Sequence, residues 1–260
     1  AKLGQVSGIV AVLPPTTVGN DVRLIAYQKM LPRTPESQEL IHNVRTVASP
    51  EGTLVGGVAA DYTDSQDGIA RTLPWALTWI VLSVLVLIFI FTGSIILPIK
   101  AVILNFLSLG ATMGVLTWVF IGGNLQWLVG SFTVTGTLDT SIVILIAVVV
   151  FGLSMDYELF LLSRIREEHL AGKSNVESVA IGLQRSARII TAAAVLLAVV
   201  FAAFVTSGVT SIKTMGFGVA LAVILDATIV RGLLVPALMR LFGENNWWAP
   251  KWMQRFTLRH

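Results

Sequence analysis

Residues 139–163 read DTSIVILIAVVVFGLSMDYELFLLS, with no charged side chain between Asp139 and Asp156. A helix rises about 1.5 Å per residue, so this stretch reaches ~37 Å, longer than the ~30 Å hydrocarbon core of a bilayer. It predicts a membrane-spanning helix. Four further apolar runs meet the same criterion: Pro74–Leu97, Lys100–Gly122, Arg188–Ser207 and Met215–Met239. Each is bounded by Pro, Gly or a charge, and none fits the core of a small soluble domain. The expected fold class is an α-helical membrane protein with five transmembrane helices, occupying residues 74–241.

Composition agrees. Of 260 residues 55% are hydrophobic and 13% charged, where soluble domains carry about a quarter charged residues. Residues 1–73 hold ordinary polar content and predict a water-facing part. The net charge of +3 is modest, and the basic residues sit beside apolar runs, which points to membrane orientation and away from nucleic acid. With no cysteine there is no disulfide or thiol chemistry. His42, His169 and His260 are scattered, so no metal site is expected. The chain starts at Ala1 without a signal-peptide pattern and is expected to be a piece of something longer.

Basic residues set the expected orientation. The link between the third and fourth spans (164–187) and its edge carry Arg164, Arg166, Lys173, Arg185 and Arg188, and the tail (242–260) with its edge carries Arg240, Lys251, Arg255 and Arg259. The link between the second and third spans has none, and that between the fourth and fifth only Lys213. Five spans put the basic link and tail together in the cytoplasm and residues 1–73 outside a cell membrane. Ser174 and Glu177 form a capping-box pattern opening an amphipathic helix along the interface, with Val176, Val179, Ala180, Leu183 and Ala187 on one face. Trp247, Trp248 and Trp252 read as an interfacial belt.

In residues 1–73, Gly8–Leu13 and Val22–Met30 predict strands separated by Pro14, Pro15 and Gly19–Asn20. Pro35–Ala48 predicts a helix, Thr53–Ala60 a third strand, and Asp64–Leu73 a helix leading into the first span. This β-β-α-β order corresponds to a split βαβ unit without its opening strand.

Ionisable residues inside spans are costly to bury and are functional candidates by default. Asp156, Asp226 and Arg231 qualify. Asp156 precedes Arg164 by eight positions, roughly 12 Å along the helix. A carboxyl group in such a site can take up a proton in one surrounding and release it in another, with Tyr157 supplying a hydroxyl to a facing helix. The competing expectation is an ion pair between Arg231 and either aspartate. Asp226 and Arg231 are five residues apart, about 140° around an α-helix, poorly placed to pair within it; a pair between Asp156 and Arg231 stays open. Gly152, Ala194, Ala198, Ala202, Gly218 and Ala222 are small residues expected to let helices approach closely.

The run Phe151-Gly152-Leu153-Ser154-Met155-Asp156-Tyr157-Glu158, continuing to Glu168, resembles the signature of the MMPL family of the resistance-nodulation-division (RND) superfamily. Gly216 to Pro236, with Asp226 and Arg231, resembles that family's last span, and Gly243 to Pro250 its exit. The resemblance implies a twelve-helix transporter of two halves. This chain would be the end of the second porter domain, a partial α+β extracytoplasmic subdomain, plus the last five spans. It implies a proton relay at Asp156 and Tyr157, to which the reading of buried ionisable residues adds Asp226, driven by the proton gradient without a cofactor. The implied cargo is a lipid or other amphiphile. The expected partners are membrane lipids, the missing N-terminal half and a possible second copy in a homo-oligomer. Two other classes compete with this reading: a non-transporting assembly or sterol-sensing-like module, and an intramembrane aspartyl protease using Asp156 and Asp226 as a dyad. For the protease, the Asp-Tyr order and the lack of glycine before Asp226 are unfavourable.

Overall fold

The computed structural model describes residues 2–47, 52–134, 136–250 and 252–253. His260, Lys251, Arg255 and Arg259 lie outside the described residues, as does Ala48 at the end of the expected first helix. The chain divides after Thr78 into two units.

In the first unit the two expected strands become nested ladders of one long hairpin. β1 (Ile9–Val12) pairs antiparallel with β4 (Ala26–Gln28), and β2 (Thr16–Val18) with β3 (Asp21–Arg23). Pro14 and Pro15 have no N–H to donate, which cuts the outer ladder from the inner one. Gly19, at φ 62°, and Asn20 form the two-residue turn. Helix α1 (Pro35–Thr46) is capped by Thr34, whose hydroxyl accepts from the Ser37 N–H at 3.3 Å, and buries Leu40 and Ile41. The expected strand at Thr53–Ala60 is absent. Gly56 and Gly57, the latter at φ 108°, end the extended run, and helix α2 (Val58–Thr92) begins there instead. Arg45 on α1 grips Asp64 on α2 through two hydrogen bonds of 2.6 and 2.8 Å.

Among the described residues, five helical stretches are long and apolar enough to cross a membrane: Val58–Thr92, Ile96–Ile121, Thr140–Leu170, Asn175–Phe204 and Thr210–Trp247. The chain is a multi-pass membrane protein, and the five spans expected from sequence are present with shifted ends. The first ends at Thr92 rather than Leu97, because Gly93 at φ 68° terminates it, and α3 (Ile96–Leu116) starts sooner than expected. A turn of π-helix, Thr117–Ile121, and the short α4 (Gln126–Val129) lead to α5 (Thr140–Leu170).

The expected interfacial helix is not separate. The Ser174–Glu177 capping box forms, but it opens a single helix, α6 (Asn175–Phe204), that runs on as the fourth span. Val176 is exposed and the buried stripe is Asn175, Ser178, Val179, Gly182, Ser186, Ile190 and Ala194. Small polar residues pack here because α5 lies close: a Cβ at Gly182 would fall 2.9 Å from the Ile165 Cα. The fifth span comprises α7 (Thr210–Leu225), a π-helical segment Asp226–Leu234 and α8 (Val235–Phe242). A Cβ at Gly216 would meet the Phe201 carbonyl at 2.6 Å, and one at Gly218 the Leu116 side chain at 2.9 Å. Of the expected packing residues, Ala194, Gly218 and Ala222 are buried, Ala198 is half-buried, and Gly152 and Ala202 face outward. A Cβ at Gly152 would meet nothing within 4 Å. Small-residue spacing finds candidate faces, but only the crossing point of two helices decides which face is used.

The tail folds back on the ends of the spans. Asn246 is fully buried; its amide donates to the Met239 and Gly243 carbonyls at 2.6 Å, and its side-chain oxygen accepts from Lys100. Ser94 donates to its backbone carbonyl. Trp247, expected in the belt, instead stacks on His169 with ring centres 4.2 Å apart and donates to Asn175 at 3.2 Å. Trp248 and Trp252 are exposed. The indole N–H of Trp247 has a buried acceptor, which holds the ring in the protein.

These crossings predict opposite outcomes at two glycines. Gly182→Val should destabilise the protein by about 1–3 kcal/mol, since the neighbouring atoms are backbone and cannot rotate away. Gly152→Ala should leave the stability of this chain within about 0.5 kcal/mol. Thermal unfolding in detergent distinguishes the two.

Candidate functional site

The site starts from the π-helical segment. Val235 donates to the Val230 carbonyl, five residues back, and Pro236 follows. Proline has no N–H, and its ring would press on the carbonyl four residues earlier, so widening the turn before Pro236 removes that clash. A π-turn brings residues five apart much closer around the helix axis than an α-turn does. Asp226 and Arg231 therefore pair within one helix, their charged atoms 2.5 Å apart, contrary to the α-helical offset of about 140° assumed from sequence. Both are buried, with 6% and 3% of their surface exposed.

Other helices complete the cage. Ser154 on α5 donates to the second oxygen of Asp226 at 2.9 Å, and its own carbonyl accepts from Arg231 at 2.6 Å. Asn105 on α3 donates to the Ser154 hydroxyl at 3.1 Å. The Arg231 guanidinium lies over the Tyr157 ring, 5.0 Å from its centre, a placement that favours a cation on an aromatic face. Val150, Ile190 and Ala222 help line the crevice beside the pair, which has room for about one water molecule. A buried guanidinium and carboxylate need hydrogen-bond partners; here the two bind each other and Ser154 of α5, and Asn105 of α3 secures Ser154.

Helical periodicity sorts the acidic residues of α5. Ser154, Glu158, Leu161, Leu162 and Ile165 form its buried face. Asp156, two residues from Ser154, lies about 200° around the helix. It is exposed, at the edge of a groove lined by Trp79, Ile80, Ser83, Leu87, Met155 and Leu159. Among the described residues Asp156 has no hydrogen-bond or ion-pair partner. Of the two ion pairs left open by the sequence, Arg231 forms the one with Asp226 and not the one with Asp156. Asp156 and Asp226 do not face each other as a protease dyad would.

Glu158, which sequence analysis passed over as part of a motif, is only 5% exposed. It lines a small cavity with Lys100 of α3 and Met239 of α8 and lies within Coulombic range of Arg231, Asp226 and Lys100. Its position four residues after Ser154 was the available signal. Among the described residues, no three His, Cys, Asp or Glu side chains gather as a metal site would require.

Comparison with known proteins places this arrangement. The MMPL family profile matches residues 19–258. The chain is 44% identical over 221 residues to a putative membrane protein of Streptomyces coelicolor, covering 85% of this chain and 31% of that protein. It is 42% identical over 227 residues to the trehalose monomycolate exporter MmpL3 of Mycobacterium tuberculosis, covering 86% and 24%. It is 36% identical over 261 residues to the mycolic acid-containing lipids exporter MmpL11 of Mycolicibacterium smegmatis, covering 98% and 27%. The chain therefore spans between about a quarter and a third of the length of these relatives.

The cage predicts an asymmetric mutational response. Asp226→Asn strands a buried guanidinium and should cost about 3–5 kcal/mol, whereas Asp226→Leu combined with Arg231→Met should recover most of that loss. Ser154→Ala should cost about 2–3 kcal/mol, since it removes a hydrogen bond to a charged group and leaves the buried Asn105 amide without its acceptor. Unfolding midpoints of the three variants in detergent read the order directly.

Proposed function

Because the chain belongs to the MMPL family, we propose that it forms the C-terminal half of a proton-driven transporter that moves a lipid or another amphiphile out of the cell. Two of the relatives are named as lipid exporters, which supports that cargo class. The observation that carries the reading is the pair of acidic sites on opposite sides of α5. One is the caged Asp226–Arg231 pair beside Tyr157; the other is Asp156, an ionisable side chain at an open face of a membrane span.

An unpaired carboxylate is not left against lipid tails, so the Asp156 face belongs against protein or water. The missing half of the transporter is the natural cover, since this chain spans only about a quarter to a third of the relatives' length. Asp156 and Asp226 would both carry protons, Asp156 on this face and Asp226 within the ion pair. The stacked Tyr157 ring connects the two, being next to Asp156 in the chain and under Arg231 in space. A change at Asp156 then alters how tightly Arg231 is held, and α5 and the fifth span move relative to each other. The driving force is the proton gradient, and no cofactor enters this scheme.

The basic link with Arg164, Arg166, Lys173, Arg185 and Arg188 would face the cytoplasm and the hairpin unit the exterior of the cell membrane. The protein has no native cysteine, so single cysteines report sidedness cleanly. A cysteine at Glu39 should react with an impermeant maleimide from outside and one at Gly172 only after permeabilisation; the reverse pattern overturns the orientation.

In the complete transporter, Asp156→Asn should reduce export to background while expression and unfolding temperature stay near wild type, because this carboxylate has no partner to lose among the described residues. Full export by a well-folded Asp156→Asn protein would falsify the relay.

A further inference from the structure

Two buried polar atoms have no use in the ion-pair cage. Asn105 is 2% exposed and Ser108 4%, yet the side-chain oxygen of Asn105 and the hydroxyl of Ser108 make no hydrogen bond in the described structure. Buried groups of this kind are rarely left without a partner. They sit three residues apart on α3, neighbours on one helix face with Cβ atoms about 5–6 Å apart, a span one water molecule bridges. Asn105 is also the residue that donates to Ser154, and Ser154 donates to Asp226. The next polar residue on the same face, Thr112, is fully buried, its hydroxyl donating to the Ser108 carbonyl at 2.9 Å. One turn later the face becomes apolar: Leu116, Ile146 and Val219 are buried, and Gly218 brings α7 hard against Leu116 and Ile146.

We propose that Asn105 and Ser108 bind an internal water, and that the stripe Asn105–Ser108–Thr112 is the route by which protons reach Asp226 from the end of the bundle opposite the basic link, closed here by the Leu116–Ile146–Val219 layer. The proposal rests on the proton-driven reading above and adds to it a path and a seal. A hydroxyl and an amide oxygen hold water without carrying charge of their own. Such a stripe relays a proton by hydrogen-bond exchange only while water occupies it. The apolar layer interrupts the exchange until the helices shift, so the site opens to one side at a time. Asn105 and Ser108 act here as positioning residues that hold the water.

The test uses the complete transporter in liposomes loaded with a pH-sensitive dye, with cargo present. Ser108→Thr keeps a hydroxyl; Ser108→Val adds nearly the same volume without one. Proton movement in Ser108→Thr should stay within about twofold of wild type, and in Ser108→Val fall at least about tenfold, as loss of one hydrogen bond along the path implies. Equal rates in the two variants, whether both normal or both low, overturn the route. Asp156→Asn serves as the control on the underlying reading. If it still couples protons to export, the relay itself fails; if it does not, and the two Ser108 variants behave alike, only the route fails.

Discussion

A guanidinium and a carboxylate are held inside a bundle of apolar helices, and the rest of the second unit is arranged around that constraint. Neither group remains charged in such a place unless its hydrogen-bonding capacity is met. The solution has several parts. The fifth span abandons α geometry at Asp226 so that Arg231 falls on the same side. Ser154 presents its hydroxyl to the acid and its carbonyl to the base. Asn105 then secures Ser154 from a third helix. Gly218 and Ala222, just ahead of Asp226, allow the approach that makes these short bonds reachable. Pro236 makes the π-segment tolerable where a regular helix would clash.

The consequence for function is that α5 separates two kinds of acid. The face bearing Ser154 and Glu158 is packed into the bundle, and the face bearing Asp156 is open. Tyr157 lies between them, its ring under Arg231. A helix with one locked and one open acidic face is suited to transmit a change in charge from a variable environment to a fixed pair. Depth in the membrane, the measure available from sequence, is shared by both faces and does not distinguish them.

At the other end of the bundle, Asn246 ties the tail to Lys100, Ser94 and the end of the fifth span, and Trp247 stacks on His169. Glu168 is held between Lys173 and Arg185. Together these contacts fasten the ends of α3, α5 and α6 to the tail, and the apolar layer of Leu116, Ile146 and Val219 lies toward the opposite end of the bundle.

Apolar length determined five spans, and charge bias grouped the basic link with the tail, because both depend on composition over many residues. The family signature likewise lies in contiguous residues, and the profile match agrees with it. The capping box at Ser174 and the Gly19–Asn20 turn were also legible, since each is a local hydrogen-bonding or φ requirement. Tertiary structure decided the rest. That Thr53–Ala60 is no strand depended on a glycine conformation, and that residues 174–187 continue the fourth span depended on α5 being there to pack against. Which aspartate meets Arg231 depended on a π-turn, a shift of helical phase too small to alter composition yet large enough to bring Arg231 over Asp226. The burial of Glu158 and the exposure of Asp156 followed from which side of α5 its neighbours cover, and a single helix does not contain that information.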